Sequence, residues 1–214
     1  MLVRKKMNTK VMTITQDERA IVAKKILTEN NIRHLPVVAG KHLIGLVTNM
    51  DIRKAEASPI PSLGSHEMNY LLDKITVGEI MTRNVITISP DISVEEAATL
   101  LHDNKIGCLP VVENGALVGM LTENDVMEIL IEVMGMKEKG SRMEILVDDK
   151  PGALADLTRI IKEYNVNIIS LITDTAEEPG KRLVVFKLRT FYFEPIRKAM
   201  EEAGFNVRYA CIEK

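Results

Sequence analysis

The sequence predicts an α+β chain made of a duplicated unit followed by a small, separate fold. Three observations carry this. The stretch NNIRHLPVVAGKHLIGLVTNMDI, Asn30 to Ile52, returns as NKIGCLPVVENGALVGMLTENDV, Asn104 to Val126, and the wider spans Met7–Ile52 and Met81–Val126 agree at 17 of 46 positions without a gap. A repeat that keeps register over such a span reports architecture before function. After Arg142 the repeat stops and the apolar pattern reads strand, helix, strand, strand, helix, strand, the split βαβ or ferredoxin-like order. A chain of 214 residues has room for both parts.

In the first copy, Asp17 opens a helical stretch to about Asn30 whose Ala20, Ile21, Ala23, Ile26 and Leu27 share one face. Leu35–Val38 and Leu43–Thr48 are strands by length and branching, split by the turn Ala39-Gly40-Lys41, and Asn49–Glu56 is a short helix. Ser58–Ser65, with two prolines and a glycine, is a connector, and Met68–Met81 holds a helical pattern leading into the second copy. There Asp91–Asn104, Cys108–Val112, Ala116–Leu121 and Glu123–Met134 repeat the series. The last helix is apolar nearly all round, with Glu128 and Glu132 as its solvated edge, so the sister repeat or another subunit must cover it.

Gly135–Arg142, with two glycines among charges, reads as an interdomain linker. The tail then runs through a strand at Met143–Val147, a DDKPG turn, a helix over Ala153–Tyr164, strands at Asn167–Thr173 and Leu183–Arg189, a helix from Pro195 stopped by Gly204, and a strand at Val207–Ile212. About 70 residues bury a marginal core, which favours pairing with a second copy. The domains expected are 1–66 and 67–136 for the repeats, 137–142 for the linker and 143–214 for the tail.

Bulk composition excludes several classes. With 46% hydrophobic and 27% charged residues and a net charge of −2, neither nucleic acid nor an anionic membrane is a default partner. MLVRKKMNTK has no apolar segment behind its charge and so does not read as a signal peptide, and no apolar run approaches the roughly 20 residues of a membrane span. Cys108 and Cys211 lie far apart in different segments, as in a reduced, cytoplasmic protein.

The T-x-x-D at Thr48–Asp51, repeated at Thr122–Asp125, sits where a strand passes into a helix. Such a pair caps a helix, worth about 1 kcal/mol. A carboxylate at a helix start can also accept both hydroxyls of a ribose, with the free N–H groups of that turn facing a phosphate. The two readings are compatible. Gly45 and Gly119, three residues before each Thr, leave room for a flat ring or a close backbone.

The repeated V-x-T-I … I-x-x-L-P-V-V … L-h-G-h-h-T-x-x-D (h apolar) resembles a pair of CBS domains, a Bateman module. V-D-D-K-P-G-A-L (Val147–Leu154) followed by V-N-I (Val166–Ile168) resembles an ACT domain, and the order CBS–CBS–ACT is similar to the acetoin-utilisation B-type proteins of bacteria. The resemblance implies two repeats packed about a pseudo-twofold axis and an adenosine-containing ligand: AMP, ADP, ATP or S-adenosylmethionine. It assigns the ribose to Thr48 and Asp51 and to Thr122 and Asp125, the base to Val11, Thr13, Val85 and Thr87, and phosphate to Arg33 and His34. Arg53 and Lys54 add charge just beyond Asp51, whereas Gly107 and Cys108 replace the basic pair in the second repeat and Glu123 stands beside its Thr. Phosphates are therefore expected in the first repeat's cleft, with an uncharged adenosine moiety, assistance across the pair, or nothing in the second. In the ACT part, the resemblance implies an amino acid held by Asp149, Gly152 and Asn167 at a dimer interface.

The remaining polar residues suggest no catalyst. His34, His42, His66 and His102 lack metal-ligand spacing, neither cysteine has a partner motif, and no nucleophilic triad is hinted at. The expectation is a non-catalytic, homodimeric or larger sensor in the cytoplasm acting on an unidentified protein. The alternative is an oligomerisation or partner-docking protein with vestigial clefts.

Overall fold

The computed structural model describes residues 1–56, 70 and 72–213. Two compact units result, Met1–Val126 and Met127–Lys214. The connector at Ser58–Ser65 and the start of the helical pattern at Met68 lie outside the described residues.

The first unit holds α1 (Ala20–Glu29), β1 (His34–Ala39), β2 (His42–Thr48), α2 (Asn49–Glu56), the one-turn α3 (Val77–Ile80), α4 (Val94–Asn104), β3 (Cys108–Glu113), β4 (Ala116–Thr122) and the start of α5 (Glu123–Val133). The helices α1 and α4 start later than the sequence suggested; Ser93 caps α4 by accepting the Glu96 N–H at 3.0 Å. Both hairpins keep one register, His34↔Thr48 and Cys108↔Thr122, each with a bulge after Val37 or Val111. They join edge to edge through His42↔Ala116 into an antiparallel sheet ordered β1-β2-β4-β3. The backbone repeats even where residues do not: Asn31 and Lys105 hold φ of 50° and 53°, Gly40 and Asn114 hold 64° and 50°.

The halves of the sequence are not the halves of the fold. The Ala20 N–H donates to Ile75 O and the Val77 N–H to Glu18 O, both 2.8 Å, so residues 75–81 complete the first repeat. Val94 to Met1 O (2.7 Å) and Val3 to Ile92 O (3.0 Å) do the same for the second. Leu72, Val77 and Met81 accordingly share a buried core with Ala23, Leu27, Leu35 and Val47. Each strand edge then receives the other repeat's segment: Leu46 pairs with Thr82 through two bonds of 2.9 Å, and Met120 with Asn8 at 2.9 and 3.0 Å. Gly45 and Gly119 make this approach possible. A Cβ on Gly45 would lie 2.5 Å from Met81 Sδ and 3.0 Å from Thr82 O; one on Gly119 would lie 2.6 Å from Met7 Sδ and 3.1 Å from Asn8 O. Of the two sequence readings of these glycines, the close backbone is the one that the structure contains.

The second unit holds β5 (Gly140–Asp148), α6 (Ala153–Glu163), β6 (Ile168–Thr175), β7 (Lys181–Leu188), α7 (Glu194–Glu202) and β8 (Asn206–Glu213). The sheet order is β6-β7-β5-β8, antiparallel throughout, and one face packs Met143, Ile145, Val184 and Phe186 against Leu157, Ile161, Ile196 and Met200. The stretch expected as a linker is not loose. Ser141 is fully buried, a Cβ on Gly140 would lie 2.2 Å from Leu188 O, and Met134 O accepts the Ser170 hydroxyl at 2.8 Å. Of the charges that suggested a linker, Lys137, Glu138 and Lys139 stay exposed ahead of β5, and Arg142 lies within it. The apolar helix α5 is covered only in part: Ile129 is buried, but Met127, Leu130 and Val133 are each about half exposed, at 56%, 49% and 54%.

Candidate functional site

Each T-x-x-D forms a complete capping box. Asp51 Oδ2 accepts the Thr48 N–H at 2.9 Å and its hydroxyl at 2.7 Å, and the Asp51 N–H returns to Thr48 Oγ1 at 3.3 Å. In the second repeat these distances are 2.8, 2.7 and 3.2 Å. The box uses one carboxylate oxygen and leaves Oδ1 outside it, so capping and ribose recognition do not compete. Both acids are half-buried, in the first turns of α2 and α5.

The clefts above these boxes are composite. The larger, about 550 Å³, takes Asn8, Lys10, Val11, Met12, Arg33 and His34 from the first repeat, and Met120, Thr122, Glu123 and Asp125 from the second. The smaller, about 240 Å³, takes Leu46 and Thr48 from the first and Thr82, Asn84, Val85, Ile86, Gly107 and Cys108 from the second, together with His34. This corrects the expected grouping: Arg33 lines the cleft of Asp125, where Glu123 joins it, His34 lines both clefts, and Thr48 but not Asp51 lines the smaller one. The exchange of segments at Gly45 and Gly119 is the cause, because it brings each V-x-T-I segment beside the other repeat's T-x-x-D.

The remaining expected residues scatter. Thr13 is exposed and lines neither cleft. Thr87 lines a separate groove of about 180 Å³ with Gly45, Arg83 and Val85. Arg53 is exposed in the last turn of α2, where with Lys54 it complements the negative end of the helix dipole, and it lines neither cleft. Lys10 was missed. It lies three residues before Thr13, outside the motif, and only the fold brings it beside Arg33.

The electrostatics differ sharply between the clefts. Two cations and two carboxylates face the larger one. In the smaller, uncharged Asn84 and Gly107 stand at the counterparts of Lys10 and Arg33, and His34 is its one titratable lining side chain besides the Cys108 thiol. Burial, then the Arg33 charge, lowers the His34 pKa against an opposing pull from Glu123. Burial, with Glu123 nearby, pushes the Cys108 thiol up to about 12. His34 is thus held towards neutrality, and Cys108 acts as a small apolar residue.

In the second unit, the turn after β5 has its carboxylates already engaged: Asp148 with Lys150 (3.2 Å) and Lys181 (2.6 Å), Asp149 with Arg182 (3.2 Å). Asn167 does not meet this turn. Its carbonyl accepts the Arg189 N–H beyond the far end of β7, whereas Lys181 at the near end pairs with Asp148. Eight residues of strand, roughly 25 Å, separate the two within one chain. A cleft of about 370 Å³ lies beside the turn, lined by Asp148, Lys150, Asp156, Lys181 and Asn206; Asp149, Gly152 and Asn167 are not among its lining residues.

Among the described residues, no group of three or more His, Cys, Asp or Glu side chains could hold a metal ion, and no helix is long and apolar enough to cross a membrane. The CBS domain family model matches residues 3–58 and 77–132, and the ACT domain model matches residues 141–192. A CBS domain-containing protein of Dictyostelium discoideum is 36% identical over 135 residues, 62% of this chain and 93% of that protein. An acetoin utilisation protein (AcuB) of Vibrio cholerae superposes with TM-score 0.54 at 28% identity, covering 64% of this chain and 95% of that one. A CBS domain pair in complex with 5′-methylthioadenosine and S-adenosyl-L-methionine superposes with TM-score 0.52 at 32% identity, covering 64% and 98%. Inosine-5′-monophosphate dehydrogenases and homoserine O-acetyltransferases also match, but the chain spans only 22% to 39% of their length.

Proposed function

The chain belongs to the CBS-domain proteins, with two CBS repeats and a C-terminal ACT domain, and from that premise we propose that it is a regulatory sensor of adenosine-containing metabolites, with a charged ligand in the larger cleft and an uncharged one in the smaller. The observation that carries the proposal is the pair of composite clefts, which join Thr122 and Asp125 to Val11 in one and Thr48 to Val85 in the other. In the larger, the half-buried Asp125 accepts ribose hydroxyls through Oδ1; in the smaller, Thr48 meets the ribose; and Val11 or Val85 lies against the base. A solved CBS pair similar to this chain holds 5′-methylthioadenosine, a thioether, and S-adenosyl-L-methionine, a sulfonium, which supports the ligand class.

The lining sets the preference. Arg33 and Lys10 suit a carboxylate or a phosphate, and Glu123 in the same cleft suits a cation. A ligand carrying both signs satisfies all three, which favours S-adenosylmethionine over AMP, ADP or ATP there. The smaller cleft carries no such charges and suits a neutral nucleoside such as 5′-methylthioadenosine. Calorimetric titration with S-adenosylmethionine, AMP and 5′-methylthioadenosine tests this. Two sites per chain with different charge preferences are expected; no binding of any adenosine compound sinks the reading.

The rival reading, a partner-docking or oligomerisation protein, draws on the half-exposed Met127, Leu130, Val133 and Met136. Sedimentation of the protein with and without ligand separates the two readings, since a docking protein assembles alike in both. For the ACT domain we favour a role in assembly over amino-acid capture. Asp148 and Asp149 are already ion-paired, and Ile168, Leu171, Tyr209 and Ile212 stand exposed on the edge strands β6 and β8.

A further inference from the structure

Among the described residues, His34 and Gly107 line both clefts of the first unit. His34 is half-buried, and its imidazole lies flush against Gly107: a Cβ there would be 3.0 Å from both Cε1 and Nε2, and 3.7 Å from Glu123 Oε2. Gly107 is the counterpart of Arg33 in the repeat, and Cys108 the counterpart of His34. The wall between the clefts is therefore asymmetric. One repeat supplies a ring that can turn, and the other supplies the bare backbone against which it rests.

We propose that His34 is a positioning residue that couples the two clefts, moving off Gly107 towards the larger cleft when a charged ligand binds there and so opening the smaller one to a neutral adenosine compound. The inference rests on the two-cleft reading above and adds its regulation. An anionic group held by Arg33 and Lys10 offers the imidazole a hydrogen bond inside the larger cleft. The space the ring leaves belongs to the smaller cleft, which at about 240 Å³ is below the usual range for a ligand pocket. Linkage makes the effect reciprocal: a neutral ligand in the smaller cleft holds the ring over the larger one and strengthens binding there by the same factor. Coupling arises from one side chain with two resting places, not from a rearrangement of the sheet.

The test is equilibrium dialysis of radiolabelled 5′-methylthioadenosine against the full chain at increasing S-adenosylmethionine. Positive coupling raises affinity for the labelled compound about 5-fold or more, whereas competition for one site lowers it. In His34→Ala the rise disappears, and affinity for the labelled compound no longer increases with S-adenosylmethionine. His34→Asn, which keeps a polar group but cannot reach Gly107, gives the same loss of coupling and guards against a folding defect in the first variant. Failure of either compound to bind the wild-type chain removes the premise and this inference together. Two compounds that bind independently, or a rise that persists in both His34 variants, overturn the inference and leave the two-cleft reading standing.

Discussion

The two clefts are built on one scaffold and differ in charge. Every lining residue of the smaller cleft contributed by the second repeat has its counterpart in the larger: Thr82 with Asn8, Asn84 with Lys10, Val85 with Val11, Ile86 with Met12, Ile106 with Ile32. The apolar positions stay apolar. Charge is what changes: Lys10 becomes Asn84, Arg33 becomes Gly107, and Glu123 answers to Asn49 of the first repeat. Read along the chain, these changes look like decay of the second copy. In space Lys10 and Arg33 of the first repeat meet Glu123 of the second in a single cleft. The duplication has concentrated charge in one site and removed it from the other.

If the scaffold is shared, damage to it should be symmetric. Gly119→Val and Gly45→Val each force a side chain into the crossing segment, where Met7 or Met81 and a carbonyl already lie within 3.1 Å. Each should cost the first unit about 1–3 kcal/mol by denaturant unfolding, and the two losses should agree. A large loss at one glycine alone would break the equivalence of the scaffolds.

Damage to the acids should be selective. Asp125→Ala removes the carboxylate from the larger cleft and should weaken S-adenosylmethionine on the order of 100-fold, given about 1.5–3 kcal/mol for a hydrogen bond to a charged group plus disturbance of the cap. Asp51→Ala, which releases the Thr48 hydroxyl that lines the smaller cleft, should weaken 5′-methylthioadenosine alone and by less, about 5-fold for the lost cap. The same compound lost in both variants would mean that the clefts are not specialised. Smaller changes address charge alone. Arg33→Ala should cost the charged ligand roughly 10-fold by calorimetry and leave the neutral one unchanged. Glu123→Gln should shift the larger cleft towards AMP, because it removes the group that repels phosphate while leaving Lys10 and Arg33 in place.

Much of this was legible in the sequence, and the reason is local. Strand and helix boundaries follow the 2.0 and 3.6 periodicities, and T-x-x-D sits within one turn of chain, so Asn49–Glu56 appears as read and both capping boxes form. The grouping of residues into clefts was not legible. It depends on which segment crosses which strand edge, and Leu46 to Thr82 is a long-range pairing that no local pattern encodes. Lys10 was invisible for the same reason, and Arg53 was misread because proximity in sequence to Asp51 is not proximity in the cleft. The linker failed differently: Gly140, Ser141 and Arg142 have loop-like composition, yet Gly140 is required by its approach to Leu188 O and Ser141 is buried in β5.

The smallest predicted effect separates the counterparts His34 and Cys108 by pH. Burial drives both towards their neutral forms, lowering the imidazole pKa from 6.5 and raising the thiol to about 12. For His34 the folded pKa lies below the unfolded one, so its contribution to stability is complete above the unfolded value and is lost as pH falls through the folded value. The thermal midpoint of the wild-type chain should therefore decline as pH drops from about 7 to about 5, and His34→Asn should decline less. Cys108→Ala should leave the acid-side slope unchanged, since its thiol stays protonated throughout. A charged ligand favours the protonated imidazole through its anionic group, so bound S-adenosylmethionine should flatten the wild-type slope. A slope that the ligand leaves untouched would place the anionic group away from His34, and the asymmetry between the clefts would then rest on Arg33, Lys10 and Glu123.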